Sequence, residues 1–220
     1  MREVDFFLKT HKSSKREYEK YMNSEKPNCM TTAKKYGRDF FDGDRKYGYG
    51  GYNYIPGRWD NVINEITNFY KLDKNSKIID AGAGKGYFLY DLGLKIKSKE
   101  LYGFDISKYA VENCPNDIKS NFFVHDVRNK LDFSDKYFDL LTCFGVIHNL
   151  KIFEIESTIS ELMRVSKKQY LWVESYRSDI ELFNLQCWAK TCESFFAPDE
   201  WIWLFKKFGY EGEYEFIYFE

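Results

Sequence analysis

Three carboxylates stand where short apolar runs end: Ile78-Ile79-Asp80, Tyr102-Gly103-Phe104-Asp105 and Phe122-Phe123-Val124-His125-Asp126. A carboxylate at the end of a buried strand can accept hydrogen bonds from a ligand at the sheet edge, or pair with its positive charge. Directly after Asp80 the chain reads Ala81-Gly82-Ala83-Gly84-Lys85-Gly86 and then an apolar-periodic segment from Tyr87. That order is strand, tight turn, helix start. Gly82, Gly84 and Gly86 let the turn take positive φ and let a ligand come close to the backbone, while helix N–H groups near Tyr87 face whatever lies over the loop. The glycines run G-x-G-x-G, not the G-x-G-x-x-G of dinucleotide folds, and an acid just before them suits a cationic amine better than a diphosphate. Lys85, between glycines, is expected to be a solvated side chain.

The turn resembles motif I of the class I S-adenosylmethionine-dependent methyltransferases, whose ligand carries a sulfonium and an α-amino group. Three further segments follow in that family's order: Leu101-Tyr102-Gly103-Phe104-Asp105-Ile106-Ser107, Asn121-Phe122-Phe123-Val124-His125-Asp126-Val127 and Tyr137-Phe138-Asp139-Leu140-Leu141-Thr142-Cys143-Phe144-Gly145-Val146. The resemblance spans residues 76–176. It implies S-adenosylmethionine as cofactor. Asp80, Gly82, Ala83, Gly84 and Gly86 would lie at its methionine part, and Asp105, with Ile106 beside it, at the ribose hydroxyls. Asp126 and Val127 would meet the adenine, and Phe144 would border the methyl group. Two plainer readings stand beside these: Asp105 as a helix cap for the segment from Ser107, and Asp126 as an ordinary turn residue.

The elements that must position these groups alternate. Strands are expected at residues 77–81, 101–105, 121–125, 137–144 and 169–175, and helices near 60–70, 87–97, 107–114 and 151–165. Alternation of this kind builds a Rossmann-like α/β fold, doubly wound around a mostly parallel sheet of the seven-stranded type. Pro198 starts a further helix that Gly209 ends, and the alternating tail Glu213-Tyr214-Glu215-Phe216-Ile217-Tyr218-Phe219 reads as a strand. The resembled fold closes its sheet with a two-strand hairpin here. Too few residues remain for one, so a reduced far edge is expected, with a single closing strand paired near Thr191–Phe196.

Residues 1–59 are read as an N-terminal extension and residues 60–220 as the cofactor-binding domain. Between Tyr36 and Trp59 tyrosine and glycine alternate, a pattern that suits neither a helix nor an ordinary strand. Tyrosine supplies rigid area with a hydroxyl and glycine supplies freedom, so the segment is expected to be a lid that orders over bound ligands. An aromatic surface loop is the plainer account. Tyr54 and Arg58 are candidate cofactor contacts, the guanidinium through a carboxylate of the cofactor or an acidic substrate, with a surface ion pair as the alternative. His148, after the fourth strand, is the candidate catalytic base; otherwise it is a histidine bonded to backbone.

Thirty-three basic against thirty-four acidic residues leave a formal charge of −1, so no face for long nucleic acid is expected. The cations from Lys9 to Lys20 are diluted by Glu17 and Glu19 and read as a solvated helix face. Cys29, Cys114, Cys143, Cys187 and Cys192 show no C-x-x-C spacing, and His11, His125 and His148 are the only histidines, so neither a disulfide framework, a zinc site nor another metal is expected. No membrane-spanning stretch or signal peptide is seen, and a cytosolic location follows as an expectation. The functional expectation is methyl transfer from S-adenosylmethionine to an O or N nucleophile of a small molecule, a sugar or secondary metabolite, with a homodimer left open. A protein- or RNA-directed methyltransferase and a non-catalytic S-adenosylmethionine-binding module are the alternatives.

Overall fold

The computed structural model describes residues 1–8, 11 and 17–220. Most of the basic run from Lys9 to Lys20 lies outside the described residues. Seven strands form one sheet: β1 (Arg2–Glu3), β2 (Ile78–Ala81), β3 (Leu101–Asp105), β4 (Phe122–Val124), β5 (Phe138–Phe144), β6 (Ser166–Glu174) and β7 (Glu213–Ile217), in the order β1-β7-β6-β5-β2-β3-β4. Every pairing is parallel. The central strands are apolar because helices cover both of their faces. All four residues of β2 are buried.

Side chains on a strand alternate between faces, and two cores separate accordingly. Ile79, Ala81, Leu141, Cys143, Leu171 and Val173 point into one, and Ile78, Leu140 and Tyr170 into the other. The helices are α1 (Lys26–Ala33), α2 (Arg38–Asp42), α3 (Asp60–Tyr70), α4 (Tyr87–Ile96), α5 (Lys108–Glu112), α6 (Ile152–Val165), α7 (Asp179–Trp188) and α8 (Pro198–Lys207). α6 brings Ile155, Ile159 and Leu162 to the first core, and α3 brings Val62, Ile63 and Ile66 to the second. Both sets follow helical spacing. The element expectations from 60 to 174 hold to within a few residues at their ends, and α1, α2 and α7 are additional.

The far edge differs from expectation. β7 does not pair with residues 191–196; it runs parallel to β6, from Tyr170 opposite Glu213 to Glu174 opposite Ile217. Two helices, α7 and α8, separate β6 from β7, so the chain crosses back along the sheet and returns in the same direction. Residues 191–196 bind elsewhere: the N–H groups of Glu193 and Ser194 both donate to the His148 carbonyl, each at 3.0 Å.

The edge beyond β7 is completed by the N-terminal segment. Arg2 and Glu3 pair with Glu213 and Tyr214. The Glu215 carboxylate, 1% exposed, then accepts the N–H groups of Phe6 (3.2 Å), Phe7 (3.0 Å) and Leu8 (2.5 Å) and the hydroxyl of Tyr170. A buried carboxylate needs such donors, and here an otherwise unpaired turn of backbone supplies them. Arg2 and Glu3 therefore belong to the sheet and Phe6–Leu8 are fastened to its edge through Glu215, and the segment lying over the site is the later part of the expected extension, from Tyr36 to Trp59.

Candidate active site

The glycine turn sits between the carboxyl ends of β2 and β3. Gly82 and Ala83 both donate to the Phe104 carbonyl (2.8 and 2.9 Å), which pins the turn to β3. Gly82 has φ 73°, and a Cβ there would lie 2.2 Å from a Val146 methyl, so only glycine fits. Gly84 donates its N–H to Asp105 Oδ2 at 2.8 Å, and Ser107 donates to Oδ1 at 2.8 Å. Asp105 is not the helix cap. Ser107 caps α5, its hydroxyl accepting the Ala110 N–H at 3.0 Å.

Asp80 and Asp105 are both buried, at 3% and 7% exposure. Burial pushes Asp80 up to about 7, against the hydrogen bond from the Thr142 hydroxyl (2.7 Å). Burial likewise raises Asp105 to about 6, against its two backbone donors. Among the described residues neither carboxyl has a lysine or arginine in ion-pair contact. Two desolvated carboxyls on neighbouring strands, with glycine backbone between them, form a site for a ligand with positive charge and hydroxyl donors. S-adenosylmethionine has both. Gly82, Ala83, Gly84 and Gly86 would hold its amino-acid part, and Asp105 its ribose.

A cap closes over this turn. Lys85 is not solvated but 5% exposed: its ammonium donates to Asp42 Oδ2 (2.6 Å) and to the Tyr52 carbonyl (2.9 Å). Asp42 also accepts the Tyr52 N–H (2.9 Å) and the Tyr109 hydroxyl (2.6 Å). The Tyr52 ring comes within 3.4 Å of the point where a Gly84 Cβ would lie, and it stacks on Tyr87 at 5.4 Å. Ser107 donates to the Tyr36 carbonyl, and burial pushes the Tyr36 hydroxyl up to about 12. The anchors Asp42, Lys85, Tyr52 and Tyr109 were not recognised in the sequence. A lysine between three glycines was the one available signal, and its partner lies 43 residues away.

Tyr54 and Arg58, the two candidate contacts from the cap, lie differently. The Tyr54 hydroxyl donates to Asp91 Oδ1 at 2.6 Å, on α4, and its ring lies 5.6 Å from that of Tyr87. Arg58 is exposed and makes no ion pair among the described residues, which leaves its guanidinium free for a carboxylate.

On the other side, Phe144 lies between Trp59 (6.0 Å, 16°) and Trp172 (6.3 Å, 12°), an aromatic wall at the end of β5. Gly145 follows at φ 70°, where a Cβ would strike the Trp172 ring at 2.5 Å. His148 lies beneath this wall, 3% exposed, in a short 3₁₀ turn. Its Nδ1 accepts the Glu174 N–H at 3.1 Å, so Nε2 carries the proton, facing Glu174 Oε2 at 3.3 Å. Burial lowers the imidazole to about 3. With one nitrogen bonded to backbone and the other protonated, His148 cannot itself take a substrate proton in this arrangement. Its partner Glu174 stands at the end of β6.

The adenine-side residues divide. Ile106 is 43% exposed and Val127 is buried in the first core. Asp126 behaves as a turn residue and ion-pair partner: Oδ1 accepts the Arg128 N–H (3.0 Å), and both oxygens bind the Arg128 guanidinium, which also holds Glu154 at 3.0 Å. The Arg128 hydrogen bond holds the Asp126 carboxyl below its ordinary value. Asp126 is thus engaged by Arg128 at the strand end where the resemblance places the adenine contact.

Comparison with known proteins agrees with this geometry. The methyltransferase domain family matches residues 72–209, well over half the chain. Solved structures of similar fold include a SAM-dependent methyltransferase from Archaeoglobus fulgidus (19% identity, 69% of each chain, TM-score 0.54). Another is the YcgJ protein of Bacillus subtilis (19% identity, 66% of each chain, TM-score 0.50). Among curated proteins, ribosomal RNA small subunit methyltransferase A of Mycoplasmopsis synoviae is 36% identical over 73 residues, 33% of this chain. That match spans only 26% of the relative's own length. The chain belongs to the class I S-adenosylmethionine-dependent methyltransferases, with S-adenosylmethionine as the cofactor of its site. Among the described residues no helix is long and apolar enough to cross a membrane.

Proposed function

We propose that this protein transfers the methyl group of S-adenosylmethionine to an oxygen or nitrogen nucleophile of a small molecule. The observation that carries the reading is the pair of buried carboxyls, Asp80 and Asp105, around a glycine turn and without a cation of the chain. When bound, the cofactor supplies an electrophilic methyl on a good leaving group. The chain's task is to hold the nucleophile in line, exclude water and accept a proton. Asp105 accepts from ribose hydroxyls, Asp80 faces the positive end, and Arg58 is available to the cofactor carboxylate. Tyr36, Tyr52 and the rest of the cap shut water out.

Glu174 is the proposed proton acceptor, with His148 as its positioning residue. The Nε2–H of His148 lies 3.3 Å from the carboxylate and steadies it at the end of β6. That replaces His148 as the base by a carboxylate one residue contact away. The reading is tested by titration calorimetry with S-adenosylmethionine and S-adenosylhomocysteine, followed by mass shifts in a cell extract given labelled cofactor. Failure of either ligand to bind would overturn it.

An RNA-directed reading draws on the partial ribosomal RNA methyltransferase match and on a groove of about 680 Å³ lined by Lys74, Lys77, Lys97 and Lys99. Those lysines lie at the amino ends of β2 and β3, the opposite end of the sheet from the glycine turn. RNA held there would not present a base to the cofactor, so the small-molecule reading is preferred.

A further inference from the structure

A second cavity, of about 260 Å³, opens between the cap and the chain leading into residues 191–196, and Tyr21, Lys26, Cys29, Arg45 and Lys190 line it. Its charges do not cancel. Of the two carboxylates that also line it, Glu25 pairs with Lys46 at 3.6 Å, while Asp44 accepts only the Lys46 backbone N–H at 2.9 Å and keeps its charge, two carboxylates against the cations Lys20, Lys26, Arg45, Lys46 and Lys190. Lys20 at the rim pairs with Glu17. Lys26, Arg45 and Lys190 are left with no carboxylate in ion-pair contact among the described residues. Lys26 donates to the last carbonyls of α7, including that of Cys187 at 2.8 Å. Arg45 lies 4.6 Å over the Trp188 ring. Lys190 lies 4.5 Å over Tyr21 and 5.6 Å from Trp188.

Lys190 is the informative member. It is 8% exposed, and its polar contact in the protein is a 3.4 Å approach to the Trp188 carbonyl. A buried ammonium with so little compensation is costly unless a ligand supplies the anion. Burial first, and then Arg45 and Lys26, lower its pKa to about 8, in keeping with a site that lacks its counter-charge. The cavity also sits beside the reaction site. Lys190 is within electrostatic reach of Glu174, and Glu193 and Ser194, three and four residues on from Lys190, bind the His148 carbonyl.

We propose that this cavity binds the methyl acceptor by an anionic group, a phosphate or carboxylate, clasped by Lys26, Arg45 and Lys190 between the Tyr21 and Trp188 rings. The acceptor is then a small anionic molecule whose nucleophile reaches toward Glu174. Its role as acceptor site rests on the methyl-transfer reading above; anion binding in the cavity does not. The volume suits one anionic head group with a few further atoms and not a polymer.

The test is calorimetric titration at low ionic strength with inorganic phosphate, pyrophosphate and malonate, each with and without S-adenosylhomocysteine. Expected is saturable one-to-one binding of at least one probe, weakened tenfold or more in Lys190→Met and in Arg45→Met and retained in Lys190→Arg. Both methionine variants should bind S-adenosylhomocysteine as the wild type does, which shows that they are folded. Absence of saturable binding overturns the proposal. So does equal binding in wild type and both methionine variants, which would mean an adventitious ion only. A single-stranded RNA oligonucleotide that binds more tightly than pyrophosphate and is lost in the same variants would also overturn it, in favour of nucleic acid. If S-adenosylhomocysteine fails to bind while the anions bind as expected, the methyltransferase reading falls and the anion site stands.

Discussion

Lys85 and Asp42 join the two halves of the candidate site through a 2.6 Å ion pair, with side-chain exposures of only 6% and 21%. One residue belongs to the glycine turn and the other to the cap, so this pair ties the floor of the cofactor site to its roof, beside the Ser107–Tyr36 hydrogen bond and the Tyr52–Tyr87 stack. Removing one partner of a well-buried pair costs about 3–5 kcal/mol, and less here because Asp42 is partly in water. In Asp42→Ala, amide hydrogen exchange across residues 36–59 should accelerate, and S-adenosylmethionine should bind about tenfold more weakly, a loss near 1.4 kcal/mol. Unchanged exchange there would show that the cap is held by its aromatic packing alone.

The cap itself is expected to tighten further on ligand binding. Its glycines make ordering expensive, at about 1–2 kcal/mol for each residue backbone fixed. Exchange across residues 36–59 should slow on adding S-adenosylhomocysteine and slow again with the acceptor. Identical protection with and without ligand would mark a permanent structural loop.

Asp105→Ala should cost more than a cofactor contact. The carboxylate holds the N–H groups of Gly84 and Ser107 as well as any ribose hydroxyl. Hydrogen bonds to charged groups are worth about 1.5–3 kcal/mol each, so affinity should fall tenfold or more. Asp105→Asn, which keeps one acceptor oxygen, should recover part of it. Calorimetric affinity within twofold of wild type in the alanine variant would remove Asp105 from the site.

Cofactor affinity should depend on pH in a stated direction. Asp80 and Asp105 are held at about 7 and about 6 by burial, so both bind protons near neutrality in the free protein. A cationic ligand favours their ionised forms, so binding releases protons. Affinity is then full above pH 7 and declines as pH falls through 7 toward 5. Calorimetry at pH 6.5 in buffers of different ionisation enthalpy should show net proton release. No release would mean that the carboxyls do not face the positive charge.

Once an acceptor is known, Glu174→Gln should lower turnover by about 10²–10⁴-fold with cofactor affinity intact, the usual range for a general base. His148→Ala should be milder, and at saturating cofactor it should leave the shape of the pH profile near 6.5 unchanged, since His148 is neutral down to about 3. An inflection near 6.5 that vanishes in His148→Ala would return the base to the histidine.

The sheet centre and the glycine turn were legible in the sequence because their causes are local. Apolar runs set β2, β3 and β5, and the glycines after Asp80 permit only one kind of turn. What stayed hidden depends on partners far along the chain. Lys85 looks solvated until Asp42 is placed beside it, and His148 looks like a base until the Glu174 N–H occupies its Nδ1. Asp126 shows its partner Arg128, two residues on, only once the turn is built. The far edge was misjudged for a related reason. Single-strand patterning does not say which neighbour a strand will choose, and the donors for Glu215 come from Phe6, Phe7 and Leu8.

That Glu215 junction has a consequence for the order in which the protein assembles. The two segments it joins are more than 200 residues apart, so their contact is the longest loop closure in the fold. A chain emerging from the ribosome can build β2 through β6 while residues 2–8 wait, their amides open to water. Closure of the β1–β7 edge should therefore be a late kinetic event, slow by its topology. Until it happens the outer side of β7 is an unpaired strand bearing Tyr214 and Phe216, the edge through which the nascent protein is most exposed to self-association.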